Sequence, residues 1–169
     1  MKYTSAEAAK LLRKLNDSYN ALLEMEGRSR DFLASVGEDV ESVRPAYDYA
    51  ETQKALDELE DKIRRVKHAV NVFNLSHTVP GFDMTIDEML VYIPQLTKKK
   101  AKLLGMKSVL PKAREASQYG RQSSIIDYRY VNYDIAAVAA DYDRVSDELA
   151  KAQTALDVVN NTETFELDV

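Results

Sequence analysis

The clearest pattern in the sequence is a heptad repeat of apolar residues near its C-terminal end. In DIAAVAADYDRVSDELAKAQTALDVVN, residues 134–160, apolar side chains recur three and four positions apart, which places them along one stripe of an α-helix. We expect Asp134 to cap this helix, and we expect its stripe to pack on helices of its own chain and on another copy. The predicted self-association seam consists of Ile135, Val138, Tyr142, Val145, Leu149 and Leu156.

A second heptad pattern covers about 27 residues from Tyr49 onward, and mixed charges occupy the positions between its apolar rows. It predicts a long helix with one buried and one solvated face. An earlier apolar stripe, from Ala8 to Val36, also keeps helical spacing and follows a candidate cap at Thr4 or Ser5. Because GEDVESVRP between the two patterns has turn composition, we predict an antiparallel helical hairpin over residues 1–73.

The remaining segments predict one more helix and a small β element. Thr85 and Glu88 form a capping-box pattern that opens a third helix, within which Pro94 should introduce a kink or mark the true start. Residues 125–133 and 163–168 have β-like composition, so a small sheet built from them is expected, with residues 75–83 as a further candidate strand. The predicted fold is mainly α: a long antiparallel hairpin in a coiled-coil-like bundle, forming a single domain over residues 1–169. Residues 74–169 supply its second half.

The order of these segments resembles a known family. A hairpin that ends in NVFNLSH is followed by TIDEMLVYIPQLTKKKAKLL, then by IDYRYVNYDI and a heptad helix that closes with NNTETFEL. This order is similar to that of the septicolysin-like family of small, uncharacterised bacterial helical proteins, best over residues 60–169. The resemblance implies a mostly helical protein that associates with itself. It implies no reaction chemistry and assigns no site residue.

Composition narrows the classes of protein to consider. The sequence has no cysteine, which excludes disulfides, thiolate metal sites and cysteine nucleophiles and fits a cytoplasmic protein. The N-terminal residues MKYTSAEAAKLLRKLN lack the apolar region of a signal peptide, and no run approaches 18 apolar residues. We therefore expect a cytoplasmic location and no membrane span.

The charge is unevenly distributed along the chain. Residues 98–130 carry nine basic and two acidic side chains, whereas the segments on both sides are acidic. Either the acidic segments neutralise this basic segment, within the fold or across a subunit interface, or it binds an anion. Interleaved tyrosines would suit stacking on single-stranded nucleic acid, or would cover a helical layer instead. The candidate anion-binding residues are Lys98, Lys99, Lys100, Lys102, Arg114, Arg121 and Arg129.

No pattern of catalytic residues is found. His68 and His77 are the only histidines, and neither belongs to a Glu-x-x-His metal motif. The G-x-S-x-G, G-x-x-x-x-G-K-[ST] and G-x-G-x-x-G motifs are absent. We expect no catalytic residue, no metal and no cofactor. The sequence favours a non-enzymatic structural or protein-interaction protein that forms a homo-oligomer through its heptad seams, with another protein as a further candidate partner. The alternative is a nucleic-acid or polyanion binder that uses residues 98–130.

Overall fold

The structure, a computed structural model, describes residues 1–115 and 127–168, and within them it is mainly helical with a minor β component. The elements in chain order are β1 (Lys2–Thr4), α1 (Ser5–Ser29), α2 (Val40–Val43), α3 (Tyr49–Ser76), α4 (Ile86–Lys107), β2 (Lys112–Arg114), β3 (Tyr128–Tyr130), α5 (Ile135–Thr162) and β4 (Thr164–Glu166). The predicted fold class is confirmed.

The chain forms two compact units, and the predicted single domain over residues 1–169 stays a prediction. The first unit contains Met1–His77 and the residues from Asp157 onward, and the second contains Thr78–Leu156. We predicted that the C-terminal tail belongs with residues 74–156. Instead it joins the first unit, because β4 pairs with the N-terminal strand β1 in antiparallel register, Lys2 opposite Glu166.

In the first unit, α1 and α3 form the predicted antiparallel hairpin. Residues near the start of α1 contact residues near the end of α3, and the reverse holds at the other end of the hairpin. Ala8 packs with Val66, and the Glu26 carboxylate accepts a hydrogen bond from the Gln53 amide at 2.8 Å. A capping box begins α1, in which the Thr4 hydroxyl accepts from the Glu7 backbone N–H while the Glu7 carboxylate accepts from the Thr4 N–H. Helix α1 ends at Ser29, earlier than the apolar stripe to Val36 predicted.

In the second unit, α4 lies antiparallel to the part of α5 that precedes Asp157. The Tyr92 hydroxyl donates to Glu148, and further along α4 the Lys107 ammonium lies 3.6 Å from Asp143 Oδ1. The predicted capping box at Thr85 opens α4, where the Glu88 N–H donates to the Thr85 hydroxyl at 3.3 Å. Helix α4 is continuous through Pro94, so the proline neither starts nor ends it.

The predicted β element is found near the predicted residues, but the predicted pairing is wrong. Strand β4 pairs with β1, and β3 pairs with β2, Lys112 opposite Tyr130. Residues 75–83 contribute an isolated bridge from Thr78 to Thr85 rather than a strand. Strands of three residues carry little alternation, so the sequence did not indicate which segments would pair.

The heptad seam of α5 is buried within this chain. Val145 is fully buried, and Val138, Leu149 and Leu156 are only 7–8% exposed. This burial agrees with the predicted packing of the stripe on helices of the same chain. Its packing on another copy stays a prediction, for which little seam area is left. Ile135 and Tyr142 are half-buried at its N-terminal end.

Within residues 1–115 and 127–168, no helix is both long enough and apolar enough to cross a membrane.

Candidate interaction surface on helix α4

Helix α4 has two apolar faces, and only one of them is buried. Its inner face is formed by Ile86, Met89, Leu96 and Leu103, which are all buried. A second apolar stripe follows spacings of four and three residues, which keeps its members on one side of the helix. Leu90 and Leu104 at its ends are about half exposed, 49% and 48%. We call this the α4 stripe; it consists of Leu90, Pro94, Ala101 and Leu104 with the polar Thr97 at its centre, all of them exposed.

Two lysines border the α4 stripe on the outer side of the helix. Lys98 and Lys102 lie one turn apart, and Val91 lies on the same side, 58% exposed. In the described part of the chain neither lysine is within ion-pair distance of a carboxylate. Among the described residues, this surface therefore combines an exposed, mostly apolar row with two lysines that form no ion pair, an arrangement typical of an interaction surface.

The other lysines of the predicted anion-binding set lie toward α5. Lys100 is half-buried, with its ammonium 5.7 Å from the centre of the Tyr142 ring. Lys107 lies over the same ring at 4.7 Å and also pairs with Asp143. Lys99 lies near Asp141, where it is a minor contributor to that residue's electrostatics: the hydrogen bond from Arg144 is the main reason that the pKa of Asp141 is lowered, and Lys99 adds to it. In this unit, acidic residues of α5 thus neutralise part of the basic segment.

The paired strands β2 and β3 hold the remaining basic residues of segment 98–130 that the structure describes. The Arg129 guanidinium forms two hydrogen bonds with the Glu115 carboxylate, at 2.8 and 2.9 Å, and this pairing lowers the pKa of Glu115. Lys112 lies beside two exposed tyrosines, with its ammonium 4.1 Å from the Tyr128 ring centre and 5.3 Å from that of Tyr130. Arg129 is therefore compensated by Glu115, while Lys112 contacts aromatic rings.

The predicted site residues do not form a single cluster. Lys98 and Lys102 share the outer side of α4, Lys99 and Lys100 turn toward α5, and Arg114 and Arg129 lie on strands β2 and β3. Arg121 lies outside the described residues. Across residues 1–115 and 127–168, no group of three or more histidine and carboxylate side chains is arranged to hold a metal ion.

The sequence contained a signal for the α4 stripe that the prediction did not use. Apolar residues occur in adjacent pairs, Met89 with Leu90 and Leu103 with Leu104. Adjacent residues on a helix point about 100° apart, so both members of such a pair cannot share one narrow buried row. Two such pairs, 14 residues apart, indicate a helix with a second apolar face.

Comparison with known proteins finds a solved structure of similar fold but gives no function. No protein-family model matches the sequence, and no curated protein matches it. A solved structure described as a functionally unknown conserved protein from Corynebacterium diphtheriae has a similar fold, with a TM-score of 0.62 and 17% sequence identity. The similarity covers 98% of this chain and all of that one. It shows a shared fold alone.

Proposed function

We propose that this chain is a non-enzymatic protein-interaction protein, and that its α4 stripe binds an amphipathic helix of a partner protein with acidic flanks. The observation that supports this most directly is the exposed apolar row beside Lys98 and Lys102. A partner helix would cover the row with its own apolar face, as in other helix-in-groove complexes. Carboxylates at its edge would meet the two lysines and set its orientation.

The same charges disfavour a symmetric pair of copies at this surface. The α4 stripe is centred on Thr97, so a two-fold antiparallel pair of copies would cross there. Lys98 is the next residue, and each copy's Lys98 would lie close to the same lysine of the other copy. Like charges in close contact oppose association. Self-association stays a prediction, and the buried α5 seam leaves little area for it.

A designed peptide tests the proposal directly. The probe is an 18-residue amphipathic helix with leucines at helical spacing and glutamates along both edges, and its matched control carries lysines in place of the glutamates. We expect the glutamate peptide to bind at least tenfold more tightly, measured by fluorescence anisotropy. Equal affinity for the two peptides would contradict the electrostatic part of the proposal.

Variants of the chain locate the binding surface. Leu90→Asp and Leu104→Asp should each weaken glutamate-peptide binding at least about fivefold, because each loses roughly 1 kcal/mol of apolar burial from a half-exposed leucine. Lys98→Glu combined with Lys102→Glu should reverse the peptide preference. Lys151→Glu, on the exposed side of α5, is the charge-matched control and should change neither result. If Lys151→Glu weakens binding as much as the α4 variants do, the surface is assigned wrongly.

The native mass separates a foreign partner from a second copy. Light scattering after size exclusion, at low and moderate salt, should give a mass that Leu90→Asp does not change. An oligomer that Leu90→Asp dissociates would mean that another copy of this chain occupies the α4 stripe.

The alternative function, binding of a polyanion, rests on Lys112 with Tyr128 and Tyr130. Exposed tyrosines beside a lysine can stack on bases while the ammonium contacts a phosphate. The probe is a fluorescent single-stranded oligonucleotide of mixed sequence. This function predicts binding that weakens steeply with salt, and that falls when Lys112 becomes Glu or when Lys98, Lys99 and Lys100 become Glu. Binding that is insensitive to salt would contradict it.

A further inference from the structure

The first unit carries a groove on one side of the α1–α3 hairpin, lined by residues of these two helices. It is open to solvent and has a volume of about 570 Å³. Ile63 of α3 is half-buried at this groove, and Asn16 of α1 and Lys67, His68 and Asn71 of α3 also line it.

The main acceptor in the groove is already engaged. The Glu60 carboxylate accepts a hydrogen bond from the Tyr19 hydroxyl at 2.7 Å, which links α3 to α1. That hydrogen bond raises the pKa of Tyr19, so the hydroxyl keeps its proton and continues to donate to Glu60. Arg64, which also lines the groove, pairs with Asp61. Tyr19 therefore occupies one acceptor site of Glu60, which keeps its negative charge, and Asp61 pairs with Arg64. The charged side chains that line the groove, Glu60, Arg64 and Lys67, sum to +1.

The remaining polar side chains can all donate hydrogen bonds, and Lys67 is the one among them that only donates. Among the described residues, Lys67 and His68 form no ion pair. Asn71 follows Lys67 by four residues, so the two lie one above the other on the same side of α3. The amide of Asn16 donates one N–H to the Leu12 carbonyl at 2.7 Å and has a second N–H. The oxygen atoms of a ligand could accept hydrogen bonds from these side chains.

We propose that this groove binds a small organic anion, a phosphate monoester or a carboxylate with a short apolar body. Lys67 supplies the charge, since an ammonium carries three donors and no acceptor. Asn16 and Asn71 supply neutral donors, and the half-buried side chain of Ile63 contacts the apolar body. The proposal concerns the first unit only and does not depend on the function assigned to α4.

The test uses backbone amide NMR spectra of the full chain, titrated at constant ionic strength with three probes: inorganic phosphate, phenyl phosphate and benzoate. We expect phenyl phosphate or benzoate to shift the amides of Asn16, Ile63, Lys67 and Asn71, and the better of the two to bind at least fivefold more tightly than inorganic phosphate. Tighter binding of phenyl phosphate would identify the ligand as a phosphate monoester, and tighter binding of benzoate would identify it as a carboxylate. Shifts spread over all the lysines, with inorganic phosphate equally effective, would mean nonspecific attraction and would overturn the proposal.

Two charge-matched variants complete the experiment. Lys67→Glu should weaken binding of the preferred probe at least tenfold, whereas Lys62→Glu, on the same helix and outside this groove, should leave it within twofold. Lys67→Gln removes the charge more gently and should weaken binding at least threefold, which covers the case in which the glutamate variant does not fold. Equal losses in the Lys62 and Lys67 variants would overturn the assignment.

Discussion

The ring of Phe165 stacks on the ring of Phe73, with the ring centres 4.9 Å apart. This contact joins the last strand, β4, to the C-terminal end of α3 within the first unit. Phe73 also stacks on His77 at 4.7 Å, and His77 lies 3.9 Å from the carboxylate of Glu163. A short aromatic row therefore holds the C-terminal tail against residues nearly 90 positions earlier in the sequence.

Replacing Phe165 by Ala should lower the free energy of unfolding by about 2 kcal/mol. The value is below that for a fully buried phenylalanine because Phe165 is only half-buried. Urea unfolding followed by circular dichroism measures it. Glu166→Ala, the exposed neighbour, is the control and should change stability by less than about 0.5 kcal/mol. Equal effects of the two substitutions would mean that the aromatic stack contributes little.

Replacing Leu149 by Asp should destabilise the fold rather than dissociate an oligomer. Leu149 is 7% exposed, and an unpaired carboxylate at a buried position costs at least about 3 kcal/mol together with the lost apolar contact. Thermal unfolding measures the loss, with Ala150→Asp at the exposed next position as the control. A Leu149→Asp protein that keeps its stability would contradict the burial of the seam.

The capping box of α4 should make the free energy of unfolding fall as the pH is lowered below about 4. Hydrogen bonds from the Thr85 backbone and hydroxyl hold the pKa of Glu88 below its ordinary value. The stabilisation is fully present above the unfolded-state pKa, about 4.3, and is lost as the pH falls through the lower folded-state pKa. Glu88→Gln should therefore lose less stability than the wild type between pH 5 and pH 3, measured by urea unfolding across that range.

Thr85→Ala tests the other half of the same cap. It removes the hydroxyl that accepts from the Glu88 N–H and should cost about 1 kcal/mol at neutral pH. Thr97→Ala, at an exposed position inside the same helix, is the matched control and should cost less. A larger loss at Thr97 would show that the cap does not control the start of α4.

Tyr47 should lose its proton only at an unusually high pH. Its hydroxyl donates to Glu26 at 2.7 Å, and this hydrogen bond, with smaller contributions from burial and nearby charge, raises the pKa of Tyr47 to about 12. The stabilisation is present below the unfolded-state pKa, about 10, and is lost as the pH rises through about 12. NMR of ring-labelled tyrosine, assigned by Tyr47→Phe, measures the midpoint. Glu26→Gln should bring it down toward 10, and an unchanged midpoint would contradict the assignment.

Much of the helical part of this fold could be predicted because its signals are local. Heptad spacing indicated α3 and α5, and the threonine and glutamate of the capping box located the start of α4 at Thr85 and Ile86. The strands were harder to predict. Strand β1 has three residues directly before a helix, and its sequence KYT does not indicate which strand it pairs with. Pairing of β1 with β4 depends on how the whole chain closes, which local pattern does not contain.

The candidate site was predicted less well than the fold, for a different reason. An apolar stripe predicts burial but does not say whether the same chain or another molecule provides the cover. In α5 the chain covers the stripe itself, and in α4 the Leu90 to Leu104 row is left exposed. Charge has the same ambiguity: Arg129 is paired with Glu115, whereas Lys98 and Lys102, with the same sequence signal, form no ion pair with any residue that the structure describes.

The pairing of β1 with β4 has a consequence for synthesis on the ribosome. The second unit, residues 78–156, interrupts the first, so the first unit lacks its last strand until about 90 more residues have been made. At roughly 5–20 residues per second that interval lasts about 5–20 s. Throughout it the nascent hairpin of α1 and α3 presents the edge of β1 and the ring of Phe73 without their partners, which is when a chaperone would have most surface to bind.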